Sequence, residues 1–204
     1  MNTERTSTYP IEPLFLSRWS PRAYDAKSLP EHDLMTILEA GRWAPSAYNV
    51  QPWRFLYARR NDDLWPAFVS VLDPFNRRWA SSASALIFVL SDTVMPGDND
   101  RPDTISRYNS FDAGAAWAQI ALQATALGYA AHAMAGLMFD DAPSVLGFSN
   151  RYKLEVAVSI GRRADPTHLP VDLRSEETPS NRRSLEQIAF SGRFPGQAET
   201  FAAE

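Results

Sequence analysis

The sequence predicts an α+β or α/β sheet protein, on three observations. Strand-length apolar or alternating runs are interleaved with stretches of helical periodicity along the 204 residues. One of those runs, ASALIFVLS at 83–91, is continuously apolar, as a central strand covered on both faces requires, and is too short to cross a membrane. Hydrophobic residues make up 45% of the chain, enough for a substantial core.

The elements follow in order. In LPEHDLMTILEAGRWA, Pro30 and two acidic residues occupy the first turn, and Leu34, Ile37, Leu38 and Gly41 recur at helical spacing, which predicts a helix over 30–42. WRFLYA at 53–58, bounded by Pro52 and Arg59-Arg60, predicts a strand, and a helix follows over 62–72. After the central strand, residues 107–127 are rich in alanine with Asp112 as the one internal charge. That helix has no charged face and is expected in the core or at a subunit interface. Gly128 ends it, and YAAHAMAGL at 129–137 reads as the next strand. A short helix over 140–146, with Pro143 in its first turn, and an alternating strand over 152–160 complete the core. No repeat or linker interrupts the chain, so a single domain over 1–204 is expected. Its segment 162–204, where prolines and charges replace apolar periodicity, is expected to wrap a surface.

Composition removes several chemistries. With no cysteine, the chain has no thiol nucleophile, disulfide, iron–sulfur ligand or cysteine zinc site. The basic residues are almost all arginine, Lys27 and Lys153 being the two lysines, and neither lies in apolar surroundings suited to a Schiff base. A net charge of -4 argues against nucleic acid as a partner. The polar opening MNTERTSTYP has no apolar run, so a cytoplasmic location without membrane association is expected. Dinucleotide, P-loop, hydrolase-elbow and H-E-x-x-H patterns do not occur. His132, in an apolar strand, is expected to be a hydrogen-bonded core histidine, and Gly97 to Asp103 (GDNDRPD) a solvated loop.

Two stretches carry chemistry. In Arg18-Trp19-Ser20-Pro21-Arg22, two guanidiniums flank a hydroxyl at i, i+2 and i+4, and an extended backbone puts all three on one side, where planar donors can grip a phosphate or a polarised carbonyl. The alternative is a solvated basic loop. In Trp43-Ala44-Pro45-Ser46-Ala47-Tyr48-Asn49-Val50-Gln51-Pro52-Trp53, side-chain amides are bracketed by prolines. They can address the edge of a planar heterocycle or simply cap a turn.

Together, at this separation, the two stretches resemble the nitroreductase family of FMN-dependent oxidoreductases, which opens with an R-x-S-x-basic run followed about one helix later by A-P-S-x-x-N-x-Q-P-W. The resemblance continues through Phe75-Asn76, Asp112-x-Gly114, Gly128-Tyr129, Gly136, Gly161-Arg162 and Arg182-Arg183. It implies an α+β fold with a central, mostly antiparallel sheet flanked by helices, in an interdigitated homodimer with a C-terminal extension and two FMN sites at the interface. One subunit would give Arg18, Trp19 and Ser20, with Arg182 or Arg183, toward the phosphate and ribityl chain. Asn76 would contact the ribityl chain or the ring, Ala135-Gly136 would lie near the ring, and Arg22 at its pyrimidine edge as the catalytic cation. The partner subunit would give Pro45, Ser46, Ala47, Asn49 and Gln51. NAD(P)H would be a transient donor in a ping-pong cycle, with nitroaromatics, quinones or similar electrophiles as acceptors. No metal is implied. Some relatives have an acidic residue where this chain has Ala135, and a lysine where it has Trp79. The change at 135 motivates a second reading, an FMN-binding protein for flavin handling or sensing.

Overall fold

The computed structural model describes residues 5–97 and 99–194. Helices α1 (Pro13–Ser17) and α2 (Glu31–Arg42) precede strand β1 (Trp53–Arg59). Helices α3 (Trp65–Ser70) and α4 (Pro74–Ala80) lead into β2 (Ala85–Asp92). Short strands β3 (Val94–Met95) and β4 (Thr104–Ile105) form a separate pair, followed by α5 (Asn109–Ala126), β5 (Ala130–Met134), α6 (Ala142–Leu146) and β6 (Tyr152–Gly161). The main sheet has the order β1-β2-β6-β5, with every neighbouring pair antiparallel.

The apolar run that predicted a central strand is β2, buried at all eight positions between β1 and β6. Alternate side chains of a strand point to opposite faces, and β2 divides the core accordingly. Leu86, Phe88 and Leu90 pack with Phe68, Leu72 and Trp79 from the α3–α4 side, whereas Ala85, Ile87 and Val89 pack with Leu34 and Ile37 of α2 and Ile120 and Ala124 of α5. The sheet is thus covered by helices on both faces.

Several elements differ from expectation, each for a local reason. The helix expected from 62 begins at Trp65, because the Asp62 carboxylate accepts from the Arg59 backbone N–H at 2.8 Å and closes a turn there. Helix α4 was not predicted, although Asp73-Pro74-x-Asn76 is a helix-start pattern: the Asp73 side chain caps the Asn76 N–H at 2.7 Å and Pro74 sits in the first turn. Strand β5 stops at Met134, short of 137, and the chain then turns so that the Gly136 carbonyl meets the start of α4. Helix α5 buries one face only. Ala113, Ala116, Ile120 and Ala124 face the core, while Phe111, Gly114 and Ala118 are exposed in this chain.

Beyond β6 the chain makes defined contacts back to the core. Leu169 and Leu173 are buried, and Arg78 of α4 pairs with Asp172 through two hydrogen bonds of 2.7 and 3.0 Å. Among the described residues no helix is long and apolar enough to cross a membrane.

Candidate functional site

The segment from Arg18 to Tyr24 is anchored before its side chains are considered. Its end runs antiparallel to the residues after β6: Ala164 N–H donates to the Ala23 carbonyl at 2.9 Å, and Asp25 N–H donates to the Arg162 carbonyl at 3.1 Å. The buried Glu177 carboxylate accepts the backbone N–H groups of Arg22 (2.8 and 3.0 Å) and Ala23 (2.8 Å). The segment therefore gains a fixed path without belonging to a helix or to the main sheet.

Along that path, Arg18 and Ser20 meet as the spacing predicted, with Arg18 Nη1 donating to Ser20 Oγ at 3.3 Å. Trp19, between them, lies under the Arg163 guanidinium at 5.8 Å. Arg22 reaches Glu176 at 3.2 Å, yet its Nε is buried without a hydrogen-bond partner. An unpaired buried donor costs about 1–3 kcal/mol unless something outside the chain satisfies it.

His132, on β5, supports this segment from below. Its Nδ1 lies 3.0 Å from the Pro21 carbonyl, and since a carbonyl only accepts, Nδ1 carries the proton. The ring packs on Trp79 at 4.7 Å. Burial lowers the His132 pKa to about 4, the bond to Pro21 opposing the shift and the charges of Arg22 and Arg18 adding to it. The imidazole is thus a neutral prop, in keeping with the core role expected from sequence.

Asn76 is nearly buried and donates from Nδ2 to the Gly136 carbonyl at 3.1 Å, while the Asp73 N–H shares that carbonyl at 3.1 Å. A Cβ at Gly136 would meet the Asp73 carboxylate and lie 2.6 Å from Asn76 Nδ2, so glycine lets the turn after β5 approach the start of α4 this closely. Ala135, beside it, is exposed. Trp79 fills the position behind these groups, almost fully buried, with its Nε1 unpartnered.

The second stretch, 45–51, forms a strained turn. Tyr48, Asn49 and Gln51 all have positive φ (52°, 55° and 53°), a conformation that L residues seldom adopt. Ser46 closes the turn by accepting the Gln51 N–H at 2.9 Å, Gln51 Nε2 donates to the Asn49 carbonyl at 3.1 Å, and the buried Asp112 of α5 accepts the Ala47 N–H at 3.1 Å. Pro45, Tyr48, Asn49 and Gln51 are exposed. Among the described residues no hydrogen bond or ion pair joins this turn to the 18–22 segment, so one chain does not bring the two predicted halves together.

Of the late arginines, Arg182 is the one whose positive charge acts on Arg18. It donates to the Ser180 side chain at 3.0 Å and to the Asn181 carbonyl at 3.0 Å. Arg183 makes no hydrogen bond or ion pair among the described residues, but lines with Arg182 a cleft of about 590 Å³ between segments 5–16 and 180–188. The Arg18 pKa is lowered by burial first and then by the charges of Arg182 and Arg5. Arg5 escaped the sequence reading, as did the acidic pair Glu176-Glu177. Both lie far in sequence from the residues they support, and no spacing rule links them. Among the described residues no cluster of side chains is suited to a metal ion.

Known proteins agree with this architecture. A crystal structure of an oxidoreductase containing FMN superposes with a TM-score of 0.91 at 46% identity, covering 97% of this chain and 100% of that one. An uncharacterized 15.4 kDa protein of Mycolicibacterium smegmatis is 32% identical over 151 residues, 69% of this chain and 97% of its own. The CLA biosynthesis enone reductase of Lactiplantibacillus plantarum is 25% identical over 189 residues, 76% of this chain and 87% of its own. The sequence model of the nitroreductase family matches residues 16–78 and 66–162, which span the Arg18 segment, the strained turn and every strand of the main sheet; the chain belongs to the nitroreductase family.

Proposed function

We propose that this protein is an FMN-dependent oxidoreductase that takes electrons from NAD(P)H and passes them to nitroaromatics, quinones or similar electrophiles in a ping-pong cycle. The carrying observation is the donor set at the 18–22 segment. Arg18 and Arg182 lie close enough for their charges to interact, no carboxylate pairs with either among the described residues, and the buried Arg22 Nε has no partner. Cations gathered in this way suit an anion bearing a phosphate, with a planar polar edge beside it. The FMN content of the 46%-identical structure supports the same reading.

In this reading Arg18, Ser20 and Arg182 hold the phosphate and ribityl chain, with Trp19 covering that segment. Asn76, Ala135 and Gly136 lie beside the ring, Gly136 leaving room for Asp73 and Asn76 to pack on its backbone. FMN, when bound, supplies the redox chemistry, accepting electrons from the nicotinamide and releasing them to the acceptor. Arg22 contributes a fixed cation whose benefit grows as negative charge develops, which makes it the catalytic residue. Glu177 fixes the Arg22 backbone, and His132 holds the preceding carbonyl without adding charge.

We further propose a homodimer in which the strained turn serves the partner's site, with Pro45, Ser46, Ala47, Asn49 and Gln51 facing its flavin. The support is an uncovered apolar surface: Tyr48 is 88% exposed and Phe111 79%, and the Gly114–Ala118 side of α5 is open. Exposed side chains on a rigidly closed turn are suited to insertion in another molecule.

Purified protein should carry a yellow chromophore, or take up FMN to one per chain, and sediment as a dimer. A colourless protein that stays colourless with added FMN contradicts the proposal. Arg22→Ala should slow flavin reduction in a single turnover more than it weakens FMN binding. Normal single-turnover reduction removes Arg22 from the catalytic role.

A further inference from the structure

Arg5 lies outside every segment that the family pattern covers, yet it ties the candidate phosphate site together. Its Nη1 donates to the Arg18 carbonyl at 2.6 Å and to the Leu16 carbonyl at 3.1 Å, and its Nε donates to the Ser180 carbonyl at 3.0 Å. The Ser180 carbonyl is also within 3.3 Å of Arg182 Nη1. One guanidinium thus bridges the backbone that carries Arg18 and the backbone that carries Arg182, residues 164 positions apart in the chain. The remaining nitrogen, Nη2, has no partner among the described residues, and Arg5 lines the same open cleft as Arg182.

This arrangement is costly for the chain alone. Three guanidiniums converge without a carboxylate among the described residues, and their mutual repulsion is relieved when an anion with two charges arrives. We infer that Arg5 is a positioning residue for phosphate recognition: it aligns Arg18 and Arg182 and adds a third positive charge, so that the site selects the phosphorylated flavin over the dephosphorylated one. The inference rests on the flavin reading above, and riboflavin, which lacks the phosphate, separates the two.

The test is equilibrium binding of FMN and of riboflavin to the apoprotein of the full chain, for wild type, Arg5→Gln and Arg5→Lys. Arg5→Gln should raise the FMN Kd about tenfold and leave the riboflavin Kd within about twofold, since the lost interaction is charge-assisted and reaches only the phosphate. Arg5→Lys should recover part of the loss, keeping the charge but not the forked geometry. Added salt should weaken FMN binding less steeply in Arg5→Gln than in wild type. An unchanged ratio of the two Kd values in Arg5→Gln, whether both ligands weaken together or neither does, overturns the inference while leaving the flavin reading intact. A wild-type apoprotein that takes up neither flavin overturns both.

Discussion

Two groups of arginines in this molecule are built in opposite ways. At the end of β2, Arg151 grips the buried Asp92 carboxylate through Nε at 2.9 and 3.0 Å and Nη2 at 2.7 Å, and on α4 Arg78 makes a forked pair with Asp172 at the surface. At the chain's first and last described segments, Arg5, Arg18 and Arg182 gather with no carboxylate between them among the described residues, and burial together with the neighbouring positive charge lowers the pKa of Arg5 and of Arg18. The first group has its counter-charge within the fold and staples elements together. The second is left unbalanced by the fold, which is how a protein prepares for an anion that arrives from outside. Residue type is the same in both; the position of acidic neighbours decides the role.

The largest expected effect tests the buried support beneath the Arg18–Arg22 segment. His132 falls from an ordinary 6.5 to about 4 in the fold, so between those values the unfolded chain binds more protons than the native one. Stability is therefore complete above pH 6.5 and declines as pH falls toward 4, by roughly 3 kcal/mol from this group. Urea midpoints of the apoprotein across that range should show the slope, and His132→Asn should lack this share of it. A His132 that titrates near 6.5 by NMR would mean that the ring is not shielded from water as its packing on Trp79 implies.

Arg18→Ala comes next. Removing a charge-assisted phosphate contact should weaken FMN binding by about 1–3 kcal/mol, roughly five- to 150-fold in Kd, with little loss of stability. Arg151→Ala should do the reverse, leaving FMN affinity unchanged while lowering the urea midpoint, because the buried Asp92 loses its partner although Arg151 itself is half in solvent. Equal effects of both substitutions on binding would erase the distinction between the groups. The smallest effect belongs to Asp172→Ala, since both partners of that pair are exposed and solvent screens their attraction. Thermal unfolding should barely register it.

Most of the core was legible in the sequence because its signals are local. The apolar run of β2, the spacing of Leu34 and Ile37 in α2, and Gly128 after α5 each follow from a few neighbouring residues, and each lies where the pattern put it. Helix α4 was missed because its seven residues are too few to establish a period, although Asp73 and Pro74 announce its start. The exposed face of α5 shows another limit: alanine and glycine spacing does not reveal whether a helix is covered by its own chain or left open.

The site was legible in part for the same reason. Arg18 and Ser20, two residues apart, meet in the fold as their spacing implied. The supports from Glu177 to Arg22 and from Arg5 to Ser180 join residues 155 and 175 positions apart, distances over which one sequence carries no readable pattern. The three positive φ values at 48, 49 and 51 were equally hidden, because Tyr and Gln do not advertise a left-handed backbone as glycine does.

The most direct test of the central claim is an anaerobic titration of the FMN-loaded protein with NADH and with NADPH, followed by addition of a quinone. The flavin absorbance should bleach with one equivalent of at least one nicotinamide and return on adding the quinone, without the two substrates having to be present together. Flavin absorbance that neither nicotinamide bleaches contradicts the proposed oxidoreductase and leaves a flavin-binding protein in its place.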